Sequence, residues 1–488
     1  MSAPNPPSDP ASALGGTHMG DDGSDWSARL TERYRLQLPS DLKSWFDREL
    51  WREQGPGEFF DAVSPKALLD AAPESIWPPL MPPFFLPLIR NRAGDWLCLR
   101  LRDADGTTDV CHWYHGGGDW IPWGNRLAEA IWFDAALPQL PSADQRYANP
   151  AERPRQFDLG DQMARHTWLR WAADQLAIDS SVMAEDNALG RADVLIREHV
   201  AEIAVRCQCV IEALANPLQQ SITPTLAAAC ELDWFDLMQQ TFDLSAIPET
   251  LIRQFEEHSI PAESWSADHQ DWKAVAEHAE AVTTLDPDLA WAHEILGYAQ
   301  HRKGQIDQAV EAFSKALRCS VFTDQSVRLR THWATSGSKR PAKWAAYYLN
   351  QREVRPRVAH AFDGSVGNEE TGVRKNEAGR SSATASGSLY RIADVVSLAE
   401  LMQWYLQPEA RRVTVNQLRR LASEIATTNP ASAASLAWSA GWDVGAEPMS
   451  AYGTLLDELV HYCEQADWPA HAAFAAAHRR CLRARYQI

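Results

Sequence analysis

Residues 86–133, LPLIRNRAGDWLCLRLRDADGTTDVCHWYHGGGDWIPWGNRLAEAIWF, restrict the fold more than any other stretch of this chain. Leu97, Leu99 and Leu101 alternate with Trp96, Cys98, Arg100 and Arg102. A period of two puts the leucines on one apolar face of a sheet. Asp105-Gly106 follows, a strong hairpin signal. A second strand is expected from about Thr107 to Tyr114, with Val110, His112 and Tyr114 on one face. Leu127, Ile131 and Ala135 then recur at helical spacing, so the unit closes with a helix. Between strand and helix, Trp113, Tyr114, Trp120 and Trp123 flank Gly116–Gly118. If a loop presents them, they form an aromatic contact patch, since loops and aromatic anchors carry binding. If they are core, they are structural. They are the candidate protein-binding residues.

Upstream, Leu30 and Tyr34 indicate a short helix. Pro39 holds Leu38 extended. Ser40 is placed to cap a second helix whose stripe is Leu42, Trp45, Phe46 and Leu50. Gln54-Gly55-Pro56-Gly57 ends it, and Ser64-Pro65 opens a short helix. The proline-rich run Trp77–Pro83 reads as a loop. Residues 1–25, rich in Pro, Gly, Ser and Asp, read as disordered.

The order of these pieces is similar to the SUKH superfamily, the Smi/Knr type of cell-wall-assembly regulators and their bacterial relatives. The matching segments are Leu38-Pro39-Ser40-Asp41-Leu42, Leu86-Pro87-Leu88-Ile89, Gly94–Leu99 and Val110-Cys111-His112-Trp113. The resemblance covers residues 26–140. It implies an α+β domain that binds proteins, often as an immunity protein against a secreted toxin.

A linker at about 138–154 leads into a helical region at 155–335. Leu195, Ile196, Val200, Ile203, Cys207, Ile211 and Leu214 trace one long amphipathic helix, stopped by Asn216-Pro217. Residues 288–319 read DLAWAHEILGYAQHRKGQIDQAVEAFSKALRC. Leu296, Gly297, Gly304, Ala309, Phe313 and Ala316 stand where a tetratricopeptide-like repeat, here at about 256–321, places its packing residues. One repeat cannot bury its own face, so flanking helices must extend the stack. Residues 362–389 read as a flexible linker. Residues 390–488 form a helical C-terminal domain, with helices beginning near Val395–Met402, then Val415–Ile425, Leu436–Trp442, Leu455–Tyr462 and Ala470–Tyr486.

The net charge of −19 argues against a nucleic-acid surface or an anionic membrane and allows a basic protein partner. No apolar run is long enough to span a bilayer. The N-terminus lacks the basic and apolar regions of a signal peptide, and the eight scattered cysteines read as buried thiols of a reducing compartment, so a cytoplasmic protein is expected. Cys207 and Cys209 lie two apart on a helix and diverge. His112 and His115 point to opposite faces if the strand runs on, so no metal is expected. Gly116–Gly118 lacks the context of a phosphate loop. No catalytic motif stands out and no cofactor is implied. The leading expectation is a non-enzymatic interaction protein, a SUKH-type adaptor or immunity-like binder on a tetratricopeptide-like scaffold. Its partner is a basic toxin or a cell-wall-related regulator. The alternative is an enzyme whose site lies in the helical C-terminal region.

Overall fold

The computed structural model describes residues 25–71, 81–115, 119–137, 166–178, 198–214, 272–319, 344–350, 395–407, 409–442 and 447–487, with Tyr390, Ile392 and a few other single positions. The N-terminal stretch read as disordered, most of the proline-rich run, Gly116–Gly118, the linkers at 138–154 and 362–389, Leu195-Ile196 and Asn216-Pro217 lie outside these residues.

Helix α1 (Trp26–Tyr34) starts where the Asp25 carboxylate accepts the Ala28 N–H, and it buries Leu30 and Tyr34. Helix α2 (Ser40–Asp47) begins at the expected place, but Pro39 is its N-cap and no side chain caps it. Ser40 does not cap because it is already inside the helix. The next residue, Asp41, turns inward instead and accepts the Ala128 N–H at 3.0 Å. Leu50 leaves the α2 stripe, since Glu49 turns left-handed and starts a single 3-10 turn, Leu50–Arg52. Strand β1 (Asp61–Ala62) and helix α3 (Pro65–Leu69, capped by Ser64) follow.

Four strands come next: β2 (Phe85–Arg90), β3 (Trp96–Leu101), β4 (Thr108–Tyr114) and β5 (Asp119–Gly124). They form one antiparallel meander with β1, in the order β1-β2-β3-β4-β5. Asp105-Gly106 does close the β3–β4 hairpin, within a loop bounded by the Arg102–Thr107 backbone bond. Register pairs Leu97 with His112 and Leu99 with Val110 on one face. On the other, Trp96, Trp113 and Trp120 line up across three strands.

The alternation predicts one apolar face; the folded sheet is covered on both. His112 and Trp123 meet Phe59 and Phe133. Phe133 belongs to helix α4 (Leu127–Ala136), whose N-terminal turn Asp41 caps. The opposite face, carrying Trp120 and Arg100, meets Trp438, Tyr390 and Asp286. A charge sits on a covered face only when it is paired. Arg100, 1 % exposed, satisfies that rule through Asp109 and Asp286.

The rest is helical: α5 (Thr167–Leu176), α6 (Glu202–Leu214), α7 (Trp272–Leu285), α8 (Ala290–Arg302), α9 (Ile306–Arg318), α10 (Trp344–Leu349), α11 (Leu398–Tyr405), α12 (Ala410–Ile425), α13 (Pro430–Ala440), α14 (Met449–Gln465) and α15 (Pro469–Tyr486). The long helix expected from Leu195 is interrupted: Val200 is in a bend and α6 begins at Glu202. Helices α7, α8 and α9 pack in succession. A Cβ at Gly297 of α8 would lie 2.7 Å from the Phe313 ring of α9, so the close crossing needs glycine there. Ala309, Phe313 and Ala316 are fully buried, Leu296 is half-buried, and Gly304 ends the α8–α9 turn at φ +75°. Helices α12–α15 also pack one on the next, and the Arg419 guanidinium forks onto Glu458 between α12 and α14.

The C-terminal helices are part of the N-terminal core. The Trp438 indole N–H donates to the Pro83 carbonyl at 3.1 Å, and the Tyr452 hydroxyl donates to the Met81 carbonyl at 2.6 Å. Phe474 packs edge-on against Tyr34. Trp168 and Trp171 of α5 pack on Trp45, and Trp168 donates to the Leu50 carbonyl. The boundary near residue 140 is therefore a break in composition that the packing crosses.

Candidate functional site

Three polar side chains converge beside the β2–β3 turn. The Asn91 amide organises them. Its Oδ1 accepts the Asp95 N–H at 2.8 Å, and its Nδ2 donates to Glu58 Oε1 at 2.6 Å and to Asp95 Oδ2 at 3.3 Å. The imidazole of His112 points at the same carboxylate, with Nε2 3.6 Å from Asp95 Oδ2. Donor atoms of Glu58, Asp95 and His112 all lie within 4.8 Å of one another. Burial alone would raise the pKa of Asp95. Hydrogen bonds from His112, the His115 N–H and Asn91 outweigh burial and hold the carboxyl well below the usual carboxylate range.

Each group is fixed from behind. His112 stacks on Tyr114 with ring centres 3.6 Å apart, and Phe59 and Trp123 meet it edge-on. Glu58 rides on the loop before β1. Asp134 of α4 pins that loop: its Oδ2 accepts the Phe59 N–H at 3.1 Å. A Cβ at Gly57 would lie 2.0 Å from that oxygen, so only glycine lets the loop reach it. Burial pushes the Asp134 carboxyl up to about 8. A cleft of about 470 Å³, lined by Gln54, Gly57, Glu58, Phe60, Asn91 and Arg92, opens beside the cluster.

The parity argument against His112 and His115 meeting does not hold. Strand β4 ends at Tyr114, and His115 turns back so that its Nδ1 lies 3.4 Å from Asp95 Oδ1. Both imidazoles face one carboxylate. Sequence reasoning missed Glu58 and Asp95 because they come from separate loops, the first 54 residues before His112 in sequence. The Asn91…Asp95 turn was the one local signal. Cys111, by contrast, pairs with Cys98 across the sheet and is buried.

The exposed aromatic patch is corrected. Trp113, Trp120 and Trp123 are all buried, and Tyr114 is half-buried against His112. The reason is β5, which the glycines and Pro122 hid: it sets Trp120 opposite Trp113 in the sheet. Trp120 packs on Phe85 and Trp438, and Trp123 packs on Phe133. They hold the sheet to its covering helices and present no contact surface. No disulfide joins the described cysteines, six of which are buried while Cys209 is half-buried.

A second concavity of about 490 Å³ lies on α7–α9. Leu296, Ala312, Glu280, Gln300, Gln308, Glu311 and Lys315 are among the residues that line it. The buried Gln300 Oε1 has no hydrogen-bond partner among the described residues. Lys315 is tied to Glu311 at 2.7 Å, which leaves Glu280 as the unbalanced charge of the rim.

No protein-family model, curated protein or solved structure matches the chain. The N-terminal five-stranded antiparallel sheet and the largely helical remainder stand on the structure alone. No described helix is long and apolar enough to cross a membrane.

Proposed function

We propose that this chain is a non-enzymatic protein-binding scaffold and that the α7–α9 groove takes an extended, basic segment of its partner. The observation that carries the reading is the groove itself: a concavity that brings Leu296 and Ala312 together with amide side chains and a net acidic set of charges. Gln308 offers a donor and an acceptor to a peptide backbone, Gln300 lines the same concavity, and Glu280 offers a counter-charge. Stacked helices with small residues at their crossings commonly form such concave binding faces. The net charge of −19 favours fast capture of a basic partner. The resemblance of residues 26–140 to SUKH domains and of residues 288–319 to a tetratricopeptide-like repeat supports the same class, an immunity-like binder or adaptor of the cytoplasm. A basic toxin or a cell-wall-related regulator fits as partner.

The test uses the full chain and matched sets of labelled basic and acidic peptides, read by fluorescence anisotropy. Basic peptides are expected to bind, to weaken as salt rises, and to lose at least tenfold in affinity in the Glu280→Lys/Gln300→Ala variant. Equal binding of both sets, no binding of either, or no effect of the double substitution would overturn the assignment.

A further inference from the structure

We infer that Glu58, Asp95 and His112 form a binding site for a divalent transition-metal ion, independent of the helical groove. The donor set is one imidazole nitrogen and two carboxylates, which suits a borderline ion of the Zn²⁺ or Co²⁺ type better than Ca²⁺ or Mg²⁺. With metal–ligand bonds of roughly 2.0–2.2 Å, adjacent donors sit about 3–3.6 Å apart. The His112 Nε2–Asp95 Oδ2 separation is already 3.6 Å. Only the exposed Glu58 has to swing inward to bring the widest separation, within 4.8 Å, into range.

Three further observations separate this cluster from an ordinary patch of surface acids. His112 is 3 % exposed, yet its ring is aimed at a carboxylate beside an open cleft. Stacking on Tyr114 and edge contacts with Phe59 and Trp123 fix the plane of that ring. The buried Asn91 hydrogen-bonds both carboxylates at once, the outer support that oriented metal ligands require. His115 adds a second imidazole at the outer oxygen of Asp95. Two carboxylates and a neutral imidazole carry a charge of −2, which a divalent ion cancels. The cleft at Glu58 leaves the remaining coordination positions accessible to water or to a ligand of the ion.

The full-length chain, stripped with chelator and dialysed, is titrated with Zn²⁺ by calorimetry, with metal content read by elemental analysis. One tightly held equivalent and a rise in melting temperature are expected, because an ion that binds only the folded chain stabilises it. Glu58 is exposed, so Glu58→Gln keeps the fold and is expected to weaken binding at least tenfold; Asp95→Asn should abolish it. Co²⁺ loaded in place of Zn²⁺ should show ligand-field bands without thiolate charge transfer. Absence of a bound equivalent, thiolate charge transfer marking a cysteine site, equal affinity for Ca²⁺, or unchanged binding in both variants would each overturn the proposal.

Discussion

Two clusters of charge lie on opposite faces of the same sheet, and they are built on opposite terms. On one face Arg100 forks onto Asp109 and also reaches Asp286 at 2.7 Å, all three nearly inaccessible. Arg102 adds a second cation 3.5 Å from Asp109. On the other face Glu58 and Asp95 are drawn together around His112, at the mouth of a cleft, with no full cation bonded to them among the described residues. The first cluster is self-neutralised and closed, and it ties the sheet to the α7–α8 turn. The second is held by amide and imidazole donors at the mouth of a cleft. Removing a partner from a closed cluster leaves a buried charge unpaired. Removing one from the open cluster relieves repulsion and gives up a ligand. Structure-bearing and ligand-bearing charges can therefore be told apart by what neutralises them.

The largest expected effect breaks the closed side. Arg100→Met leaves Asp109 and Asp286 buried and facing one another, and should cost about 3–5 kcal/mol in urea denaturation. Restoring neutrality with Arg100→Met/Asp109→Leu/Asp286→Leu should cost less than the single change. A triple variant no more stable than the single one would show that shape, not charge balance, is what the cluster supplies.

The next effect tests the support of the open side. Asp134 titrates near 8 in the folded chain and near 3.8 when unfolded. Between those values the folded state keeps a proton that the unfolded state has released, so stability falls as pH rises from about 4 to about 8 and is level on either side. The slope is at most roughly 1.4 kcal/mol per pH unit. Asp134→Asn removes this slope while keeping an acceptor for the Phe59 N–H. Melting temperatures across that range should decline less steeply in the variant than in the parent; parallel profiles would refute the assignment.

The smallest effect is the sharpest contrast. Without added metal, Glu58→Gln should change stability by less than about 0.5 kcal/mol, as expected for an exposed charge with no strong cationic partner. A large loss would make the open cluster structural, like the closed one.

Much of the architecture was legible in the sequence because it rests on local periodicity. The β3–β4 hairpin, the closing helix α4, the α8–α9 crossing at Gly297 and Phe313, and the order of α11–α15 all follow from patterns of two or about 3.6 residues. What was not legible depends on distant partners. The alternation around Arg100 looks like that of a half-wet strand; only Asp286, 186 residues away, makes its burial tolerable. Strand β5 was lost because proline and glycine mask its period, and with it went the burial of Trp120 and Trp123. The metal-type cluster was half visible. His112 and His115 stood out, but the strand end at Tyr114 decides which way His115 turns, and no spacing rule connects either histidine to Glu58.

The bonds from Trp438 to Pro83 and from Tyr452 to Met81 also bear on how the chain is made. Pro83 leaves the ribosome 355 residues before its indole partner. At roughly 5–20 residues per second, that is a delay of about 20–70 s. Throughout it the part of the meander that Trp438 covers, around Phe84 and Trp120, lacks that cover. Such a nascent strand surface is prone to pair with its neighbours on a polysome. Synthesis rate and chaperone occupancy during that interval should therefore govern the yield of folded protein more than the stability of the finished fold.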